Sequence, residues 1–264
     1  MIRGIDHLVI ACADPEAAAA ELESRVGLRA TSGGRHEGAG TWNRIAWLAD
    51  GSYLELIGVD DRERALAQPV GAAAVRALDE RGGGMAAFAL LDDELELTVG
   101  GLQGAGSSLG VVSHGSRCNP DGELVEWWVS MPEGELGPAG PPFLIQHAYV
   151  GSEWSPEALA TRATLSHPLG SPAILARLDL ATHDPTWLAA RYHEELGLEF
   201  WAVADLALTT VGRHTIRLVP NREMEVPAAV TLGGDIDAPR TAQALGLRFD
   251  VEPVVLPLPA PNRA

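Results

Sequence analysis

Apolar and polar positions along the first sixty residues follow an order typical of alternating strands and helices. Residues 5–11 form an apolar, β-rich run, and Asp14 then supplies a helix N-cap, with Pro15 at the first helical position before an alanine-rich stretch. Gly27 stands where a glycine commonly ends a helix. A strand with a glycine-rich turn comes next, and the strand patterns NRIAWLAD and YLELIGV flank an Asp-Gly hairpin dipeptide. The pattern predicts a β-α-β-β-β unit.

The same order returns 170 residues later. Asp14 corresponds to Asp184 and Gly27 to Gly197, and the strand patterns LEFWAVAD, LALTTVG and HTIRLVP complete a second β-α-β-β-β unit. A weaker copy lies between them, with the strand patterns MAAFALLDD, SLGVVSHGSR, ELVEWWVS and PFLIQHAYV and a helix around residues 94–102. The chain is therefore predicted to be an α+β protein of repeated βαβββ modules.

The organisation of the chain follows from these repeats. Helical patterns in RERALAQPVGAAAVRALDERG and SPEALATRA are typical of connectors between modules. We expect paired modules over 1–150, a helical linker over 151–172, a further βαβββ-like module over 173–254 and a proline-rich tail over 255–264.

Charge and cysteine content exclude some classes of partner. The formal net charge of -17 and the pI of about 4.8 repel phosphate backbones and anionic membrane surfaces, so nucleic acid is not an expected partner. No apolar stretch reaches the length of a membrane span. Two cysteines in 264 residues cannot form a disulfide framework, and the N-terminus has no secretion signal, so we expect a cytoplasmic protein.

Several segments together carry a family resemblance. A strand with IDH, the Asp-Pro helix, GGRHEGAGTWN, YLELI, SRCNPDGELVEWW and PPFLIQH occur in order over roughly residues 1–150. They resemble the glyoxalase-like branch of the vicinal oxygen chelate superfamily (the glyoxalase, bleomycin resistance and dioxygenase fold). The resemblance implies curved mixed sheets around a cavity, a small-molecule ligand, a metal held by His and Glu from first and last module strands, and a homodimer.

His7 and Glu55 are the predicted catalytic and metal-binding pair. Strand alternation places Ile5, His7 and Val9 on one face of the first strand, and Glu55 between apolar neighbours on the fourth. If those strands are adjacent, both side chains can bind one divalent ion, and nitrogen and oxygen ligation suits Zn, Mn, Fe, Ni or Co. A buried imidazole hydrogen-bonded to a carboxylate, without any metal, is the structural alternative.

The matching half-site of the second module is poor in ligands. In the superfamily, this module adds ligands from its own first and last strands, but here the first strand offers only Met85 to Phe88. The last strand offers Gln146, a weak oxygen ligand, with His147 on the opposite face. In the third module Arg177 and Arg217 replace His7 and Glu55, so that copy is predicted not to chelate a cation.

Further polar residues are predicted to bind substrate. His36 and Asn43 frame a glycine-rich loop whose backbone can approach a ligand closely, although a flexible hairpin explains the glycines equally well. The complete set is His36, Asn43, Tyr53, His114, Arg117, Gln146 and His147. Tryptophans 42, 47, 127 and 128 are available as apolar walls, and at least one of them is expected to be core packing.

Three functions are compatible with these residues. The first is a metal-dependent lyase, isomerase or dioxygenase-type enzyme in which His7 and Glu55 hold an ion that polarises vicinal oxygens of a substrate. The second is a non-catalytic binder of the resistance type, in which the same pair supplies hydrogen bonds only. The third, a serine hydrolase, comes from the G-x-S-x-G match around Ser108, but there a loop precedes a strand where the nucleophile elbow needs a strand before a helix.

Overall fold

The protein, described by a computed structural model over residues 1–36 and 38–254, consists of two β-sheets with helices packed on them. The strands are β1 (Ile2–Ala11), β2 (Thr31–His36), β3 (Thr41–Trp47), β4 (Tyr53–Val59), β5 (Gly84–Asp92), β6 (Ser113–Cys118), β7 (Leu124–Ser130), β8 (Phe143–His147), β9 (Ala173–Thr182), β10 (Trp201–Val203), β11 (Leu206–Val211), β12 (His214–Pro220), β13 (Ala228–Gly234), β14 (Arg240–Ala244) and β15 (Leu247–Pro253). The helices are α1 (Pro15–Val26), α2 (Arg62–Leu66), α3 (Pro69–Arg81), α4 (Leu95–Gly104), α5 (Gly151–Trp154), α6 (Pro156–Ala163) and α7 (Pro185–Leu196). The proline-rich tail predicted at 255–264 lies outside the described residues.

The first sheet is a closed eight-stranded barrel in the order β1-β4-β3-β2-β6-β7-β8-β5. Strand β1 pairs in parallel with β4 of its own module and antiparallel with β5 of the next module. Strand β5 pairs in parallel with β8 in the same way, so the barrel contains two copies of the predicted βαβββ order. The paired strands enclose the cavity described below.

The repeated helices begin and end as the capping signals predict. Asp14 and Asp184 are both extended residues whose carboxylates accept a backbone hydrogen bond from the first turn. Gly27 and Gly197 end the two helices in the left-handed conformation, with φ of 83° and 66°. Local chemistry therefore determines both helix bounds in each copy.

The second sheet is open and has the order β10-β11-β12-β9-β13-β15-β14. Strands β9 to β12 with α7 form the module predicted from the repeat. The other side of β9 pairs with three more strands, in the order β13, β15, β14. The barrel has the same arrangement beside β1, where the order is β5, β8, β7. Within the described chain, residues 173–254 thus form one full module, β9 to β12 with α7, and one partial module, β13 to β15. Among the described residues, the partial module has no counterparts of α4 and β6. The sequence analysis did not identify these last three strands.

The two sheets share one apolar core. It joins outward-facing residues of β1, such as Leu8 and Ile10, to Leu178 of β9 and Phe249 of β15. Helices α5 and α6 lie between the strands of the two sheets along the chain. None of the helices in residues 1–36 and 38–254 is long and apolar enough to cross a membrane.

Candidate active site

The structure brings His7 and Glu55 together on neighbouring parallel strands. In the register of β1 and β4, His7 lies opposite Tyr53 and Val9 lies opposite Glu55, so the two side chains are diagonal neighbours on one face. The Nε2 atom of His7 is 3.7 Å from Oε2 of Glu55. Both side chains are at least nine-tenths buried, and both line a cavity of about 510 Å³ inside the barrel. They therefore form a polar pair in contact with a ligand-sized space.

An irregularity in β1 places a further acidic residue beside this pair. The register between β1 and β5 shifts between Ile5 and His7. As a result, Ile5 packs with Leu8 in the core between the sheets, and the expectation that Ile5 shares a face with His7 is wrong. Such a bulge changes the direction of successive side chains, and here Asp6 contacts the imidazole of His7.

Asp6 joins two histidines. Its Oδ1 atom lies 2.6 Å from Nδ1 of His7, and its Oδ1 and Oδ2 atoms lie 3.2 and 3.0 Å from Nε2 of His147 on β8. Burial raises the pKa of this carboxyl, but the charge and hydrogen bonds of His147 and His7 lower it further, so the pKa of Asp6 lies well below its usual range. Sequence reasoning missed Asp6, because strict alternation assigns it to the outer face.

A second group of polar side chains positions Glu55 from the β3 side. The amide nitrogen of Asn43 donates to Oε1 of Glu55 at 2.6 Å, and Nε2 of His36 lies 3.7 Å from the same oxygen. Nδ1 of His36 lies 2.8 Å from the hydroxyl of Thr41. Burial lowers the pKa of His36, the nearby Glu55 raises it and Arg117 lowers it, and the result is a pKa below the ordinary value.

Aromatic rings form one wall of the cavity. Tyr53 stacks on His7 with ring centroids 4.6 Å apart, and Trp154 of α5 stacks on His147 at 3.5 Å. Trp47 contacts both Tyr53 and Trp154, and the guanidinium of Arg162 lies 3.8 Å over the Trp47 ring. The linker thus contributes a wall residue, Trp154, that the sequence analysis did not propose. Burial raises the pKa of the Tyr53 phenol, as do the charges of Asp6 and Glu55.

The other predicted substrate-binding residues have different positions. Arg117 lines the cavity, but its guanidinium already binds both carboxylate oxygens of Glu153 and the carbonyl of Gly33. His114 also lines the cavity and lies partly exposed, with Nε2 2.9 Å from a carboxylate oxygen of Glu126.

Gln146 is not part of this cavity. Its Oε1 atom accepts a hydrogen bond from the backbone N–H of Leu95 at 2.9 Å, and it lines a separate surface depression beside α4. Successive side chains of β8 point to opposite faces, so His147, not Gln146, faces the barrel interior. The predictions that Gln146 binds metal or substrate in this cavity therefore need correction.

One side of the cavity is apolar. The second module contributes Val129, Met131, Phe143 and Ile145. Its first strand, β5, carries alanines at the positions that pair with His7 and Val9. The cavity therefore has a polar end around His7, Glu55 and His147, further polar lining from His114 and Arg117, and one apolar side.

The donor set does not fit a tightly held metal ion. No group of three or more His, Cys, Asp or Glu side chains with suitable geometry is found within residues 1–36 and 38–254. An amide hydrogen of Asn43 already occupies one oxygen of Glu55. His7 and Glu55 alone leave a divalent ion with two protein ligands, fewer than the three or four usual for zinc.

Ser108 lies in an environment unlike that of a serine nucleophile. Its hydroxyl donates to Oε2 of Glu195 at 2.8 Å, and its backbone N–H donates to the same oxygen at 2.8 Å. Glu195 belongs to α7 of the second half, so this contact joins the two halves of the protein. Among the described residues no imidazole hydrogen-bonds to Ser108, which removes the basis for the hydrolase interpretation.

Comparisons with known proteins agree with this architecture. The sequence profile of the family described as glyoxalase-like domain matches residues 5–196. A crystal structure of a hypothetical protein from Staphylococcus aureus superimposes with a TM-score of 0.76 at 15% identity, over 95% of this chain and 99% of the other. A 4-hydroxymandelate synthase mutant from Streptomyces coelicolor gives 0.55 at 12% identity, over 89% and 72%. At these identities the likeness shows the fold.

Shorter proteins match part of the chain. Methylmalonyl-CoA epimerase from Streptomyces coelicolor has a TM-score of 0.42 at 19% identity, over 56% of this chain and 99% of its own. A search of curated proteins finds no match. The fold expected from the sequence, curved mixed sheets of repeated βαβββ modules, is confirmed.

Proposed function

We propose that this chain, which belongs to the glyoxalase-like domain family, binds a small organic molecule in the barrel cavity and catalyses proton transfer on it. The observation that carries the proposal is the imidazole of His7 3.7 Å from the carboxylate of Glu55 in the cavity wall. Glu55 is the sole carboxylate among the described lining residues. It is therefore the group available to accept a proton from a bound ligand, a step that many lyase and isomerase reactions use.

Each neighbouring side chain has a defined part in this chemistry. Glu55 accepts a proton from a carbon next to a carbonyl group, and the hydrogen bond from Asn43 fixes the orientation of its carboxylate. His7, beside Glu55, is placed to accept a hydrogen bond from a ligand hydroxyl. The aromatic wall limits water at this end, which strengthens electrostatic interactions there.

A divalent metal is not assigned a step, because the donor set does not fit one. The metal-dependent reaction predicted from the sequence differs from the proposed reaction in its requirement for an ion, and metal analysis distinguishes them.

Cytoplasmic location and a homodimeric state also stay proposals from the sequence and the resemblance. Sedimentation of the purified chain measures the oligomeric state.

One observation favours the non-catalytic alternative. The apolar side of the cavity, with Val129, Met131, Phe143 and Ile145, is suited to hold a hydrophobic ligand by burial alone. In that case His7 and Glu55 contribute hydrogen bonds and the ligand leaves unchanged. The two functions share the binding step and differ in whether a proton moves.

Deuterium exchange tests proton transfer directly. The probe is 2-hydroxyacetophenone, which combines an apolar ring with adjacent carbonyl and hydroxyl oxygens. In D₂O, the protein is expected to accelerate loss of the proton NMR signal of the CH₂ group, which is bonded to the carbonyl carbon and carries the hydroxyl. Glu55→Gln should reduce the protein-dependent rate by about 100-fold or more, the usual contribution of a general base, while retaining binding.

The controls separate the possible outcomes. Glu157→Gln changes an exposed carboxylate on α6 and should exchange like the unmodified protein. Binding without accelerated exchange would support the non-catalytic alternative. Equal exchange by Glu55→Gln and the unmodified protein would contradict the assignment of the base.

A further inference from the structure

Asp6 contacts the two histidines through different ring nitrogens. It meets Nδ1 of His7 at 2.6 Å and Nε2 of His147 at 3.0 Å. The side chains of all three residues are at least 95% buried. Because an ionised carboxylate is an acceptor only, the ring nitrogen that it contacts in each histidine carries a hydrogen. Asp6 therefore selects opposite neutral tautomers in the two rings.

The opposite nitrogen of each ring is left as an acceptor. Nε2 of His7 then presents a lone pair beside Oε2 of Glu55, itself an acceptor, at 3.7 Å. Nδ1 of His147 is buried and has no hydrogen-bond partner among the described residues. Nδ1 of His147 is closed off from the cavity, so Nε2 of His7 is the ring acceptor suited to receive a donor from a ligand.

Two of the donors near His7 and Glu55 are already engaged. The amide nitrogen of Asn43 donates to Glu55, and the guanidinium of Arg117 donates to Glu153 and Gly33. Between His7 and Glu55 the cavity consequently offers two neighbouring acceptors to an incoming molecule. A ligand carboxylate or phosphate, which supplies only acceptors of its own, is poorly matched to it.

We propose that Asp6 is a positioning residue that holds His7 and His147 in opposite tautomers, so that the cavity recognises a ligand through hydroxyl or amino donors carried by that ligand. The part concerning ligands rests on the proposed function, since it requires a molecule in this cavity. The tautomer assignment concerns the protein alone and is independent of any reaction. A purely structural link between β1 and β8 would leave ligand selectivity unaffected.

Nitrogen-15 NMR of the imidazole rings tests the tautomers in the ligand-free protein. Spectra are recorded at a pH of about 8.5, at which an ordinary histidine is neutral. His7 is expected to carry its hydrogen on Nδ1 and His147 on Nε2. Because free imidazole side chains favour hydrogen on Nε2, His7 is the diagnostic ring. Hydrogen on Nε2 of His7 in the unmodified protein would overturn the proposal without any variant.

Variants of Asp6 show whether it causes this arrangement. Asp6→Asn keeps the size of the side chain, but its oxygen can accept from only one of the two rings. Its amide group then donates to the other ring, which should move its hydrogen to the opposite nitrogen. Asp6→Ala should return His7 to hydrogen on Nε2. Asp79→Asn, at an exposed position on α3, is the matched control and should leave both rings unchanged. Unaltered tautomers in folded Asp6→Ala would also overturn the proposal.

Small aromatic probes test the selectivity for donors. Benzyl alcohol supplies one donor, benzyl methyl ether supplies none, and benzoate supplies acceptors only. Ligand-observed NMR should show binding of the alcohol about tenfold tighter than the ether, equivalent to one hydrogen bond of about 1.4 kcal/mol. Benzylamine serves as the cationic donor, and its comparison with the alcohol distinguishes neutral from cationic ligands.

The outcomes remain separable from those of the exchange experiment. Benzoate that binds as tightly as benzyl alcohol would refute donor recognition even if deuterium exchange succeeds. A preference for the alcohol that disappears in Asp6→Ala would support the proposal even if no exchange occurs. An alcohol preference that persists in Asp6→Ala would contradict the role of Asp6.

Discussion

Replacement of Asp50 by Asn is expected to weaken the contact between the two halves severely. Asp50 lies in the turn between β3 and β4, and its side chain is fully buried. Its Oδ1 atom accepts from the backbone and hydroxyl of Ser52 at 3.2 and 2.7 Å. Its Oδ2 atom accepts from the backbone of Leu175 at 3.1 Å and lies 3.0 Å from Nε2 of His214. One carboxylate thus receives four hydrogen bonds, two of them from the second half.

The expected magnitude follows from these contacts. An Asn side chain keeps one acceptor oxygen, so its amide group must face two of the four donors. His214 cannot relieve this by changing tautomer, because its Nδ1 already accepts the backbone N–H of Ile5 at 2.8 Å. Loss of two hydrogen bonds to a charged group, at about 1.5–3 kcal/mol each, predicts a decrease of about 3–6 kcal/mol in the free energy of unfolding.

The carboxylate also predicts a dependence of stability on pH. Burial raises the pKa of Asp50, but hydrogen bonds from His214 and Ser52 lower it further, and the pKa lies below its ordinary value. A carboxyl whose pKa is depressed on folding stabilises the folded state above its unfolded pKa of about 3.9, and this contribution is lost as the pH falls through the lower folded value. Asp50→Asn should remove this part of the acid sensitivity.

Urea denaturation followed by circular dichroism and tryptophan fluorescence measures both effects. Asp79→Asn is the control, because Asp79 is an exposed residue paired with Arg62 on the surface, and its replacement should leave the denaturation midpoint nearly unchanged. A decrease of less than about 1 kcal/mol for Asp50→Asn at neutral pH would refute this account of the contact.

Three further outcomes are expected. Purified protein dialysed with zinc or manganese and then against buffer should retain no stoichiometric metal by elemental analysis, whereas one bound equivalent that is lost in His7→Ala would support the metal-dependent reaction. Trp154→Ala should lower stability in urea by about 3–5 kcal/mol, since this buried ring stacks on His147, while the exposed Trp187→Ala should change it by about 0.5 kcal/mol. Glu195→Ala should cost about 1.5–3 kcal/mol in the same measurement, because it removes the carboxylate oxygen that accepts from both the backbone and the hydroxyl of Ser108, and an unchanged midpoint would contradict the role of this contact.

The elements that local chemistry specifies were predictable from the sequence. Asp14 and Gly27 define the bounds of α1, and their repeat defines α7, because caps and helix-ending glycines act within a few residues. Strands β13 to β15 were not recognised, since the helix that marks each full module is missing between β13 and β14. A repeat is easily found only where its most characteristic element is retained.

The candidate site was predictable only in part, for a similar reason. Alternation and strand order were sufficient to bring His7 and Glu55 to one face, but they fail at an irregular position. The register shift next to Asp6 depends on pairing with β5, about eighty residues away, which no local pattern records. Trp154 comes from the linker, where helix propensity gives no information about which side chain reaches the barrel.

The open second sheet has a consequence for self-association that the barrel does not share. Every strand of the barrel has two neighbours, whereas β10 and β14 each have one neighbour within the described chain. Such strands can template the addition of foreign chains. β10 is only three residues long, and β14 begins with Arg240, features that discourage this reaction. Lengthening β10 or removing that charge therefore makes edge-to-edge pairing between copies of the chain easier.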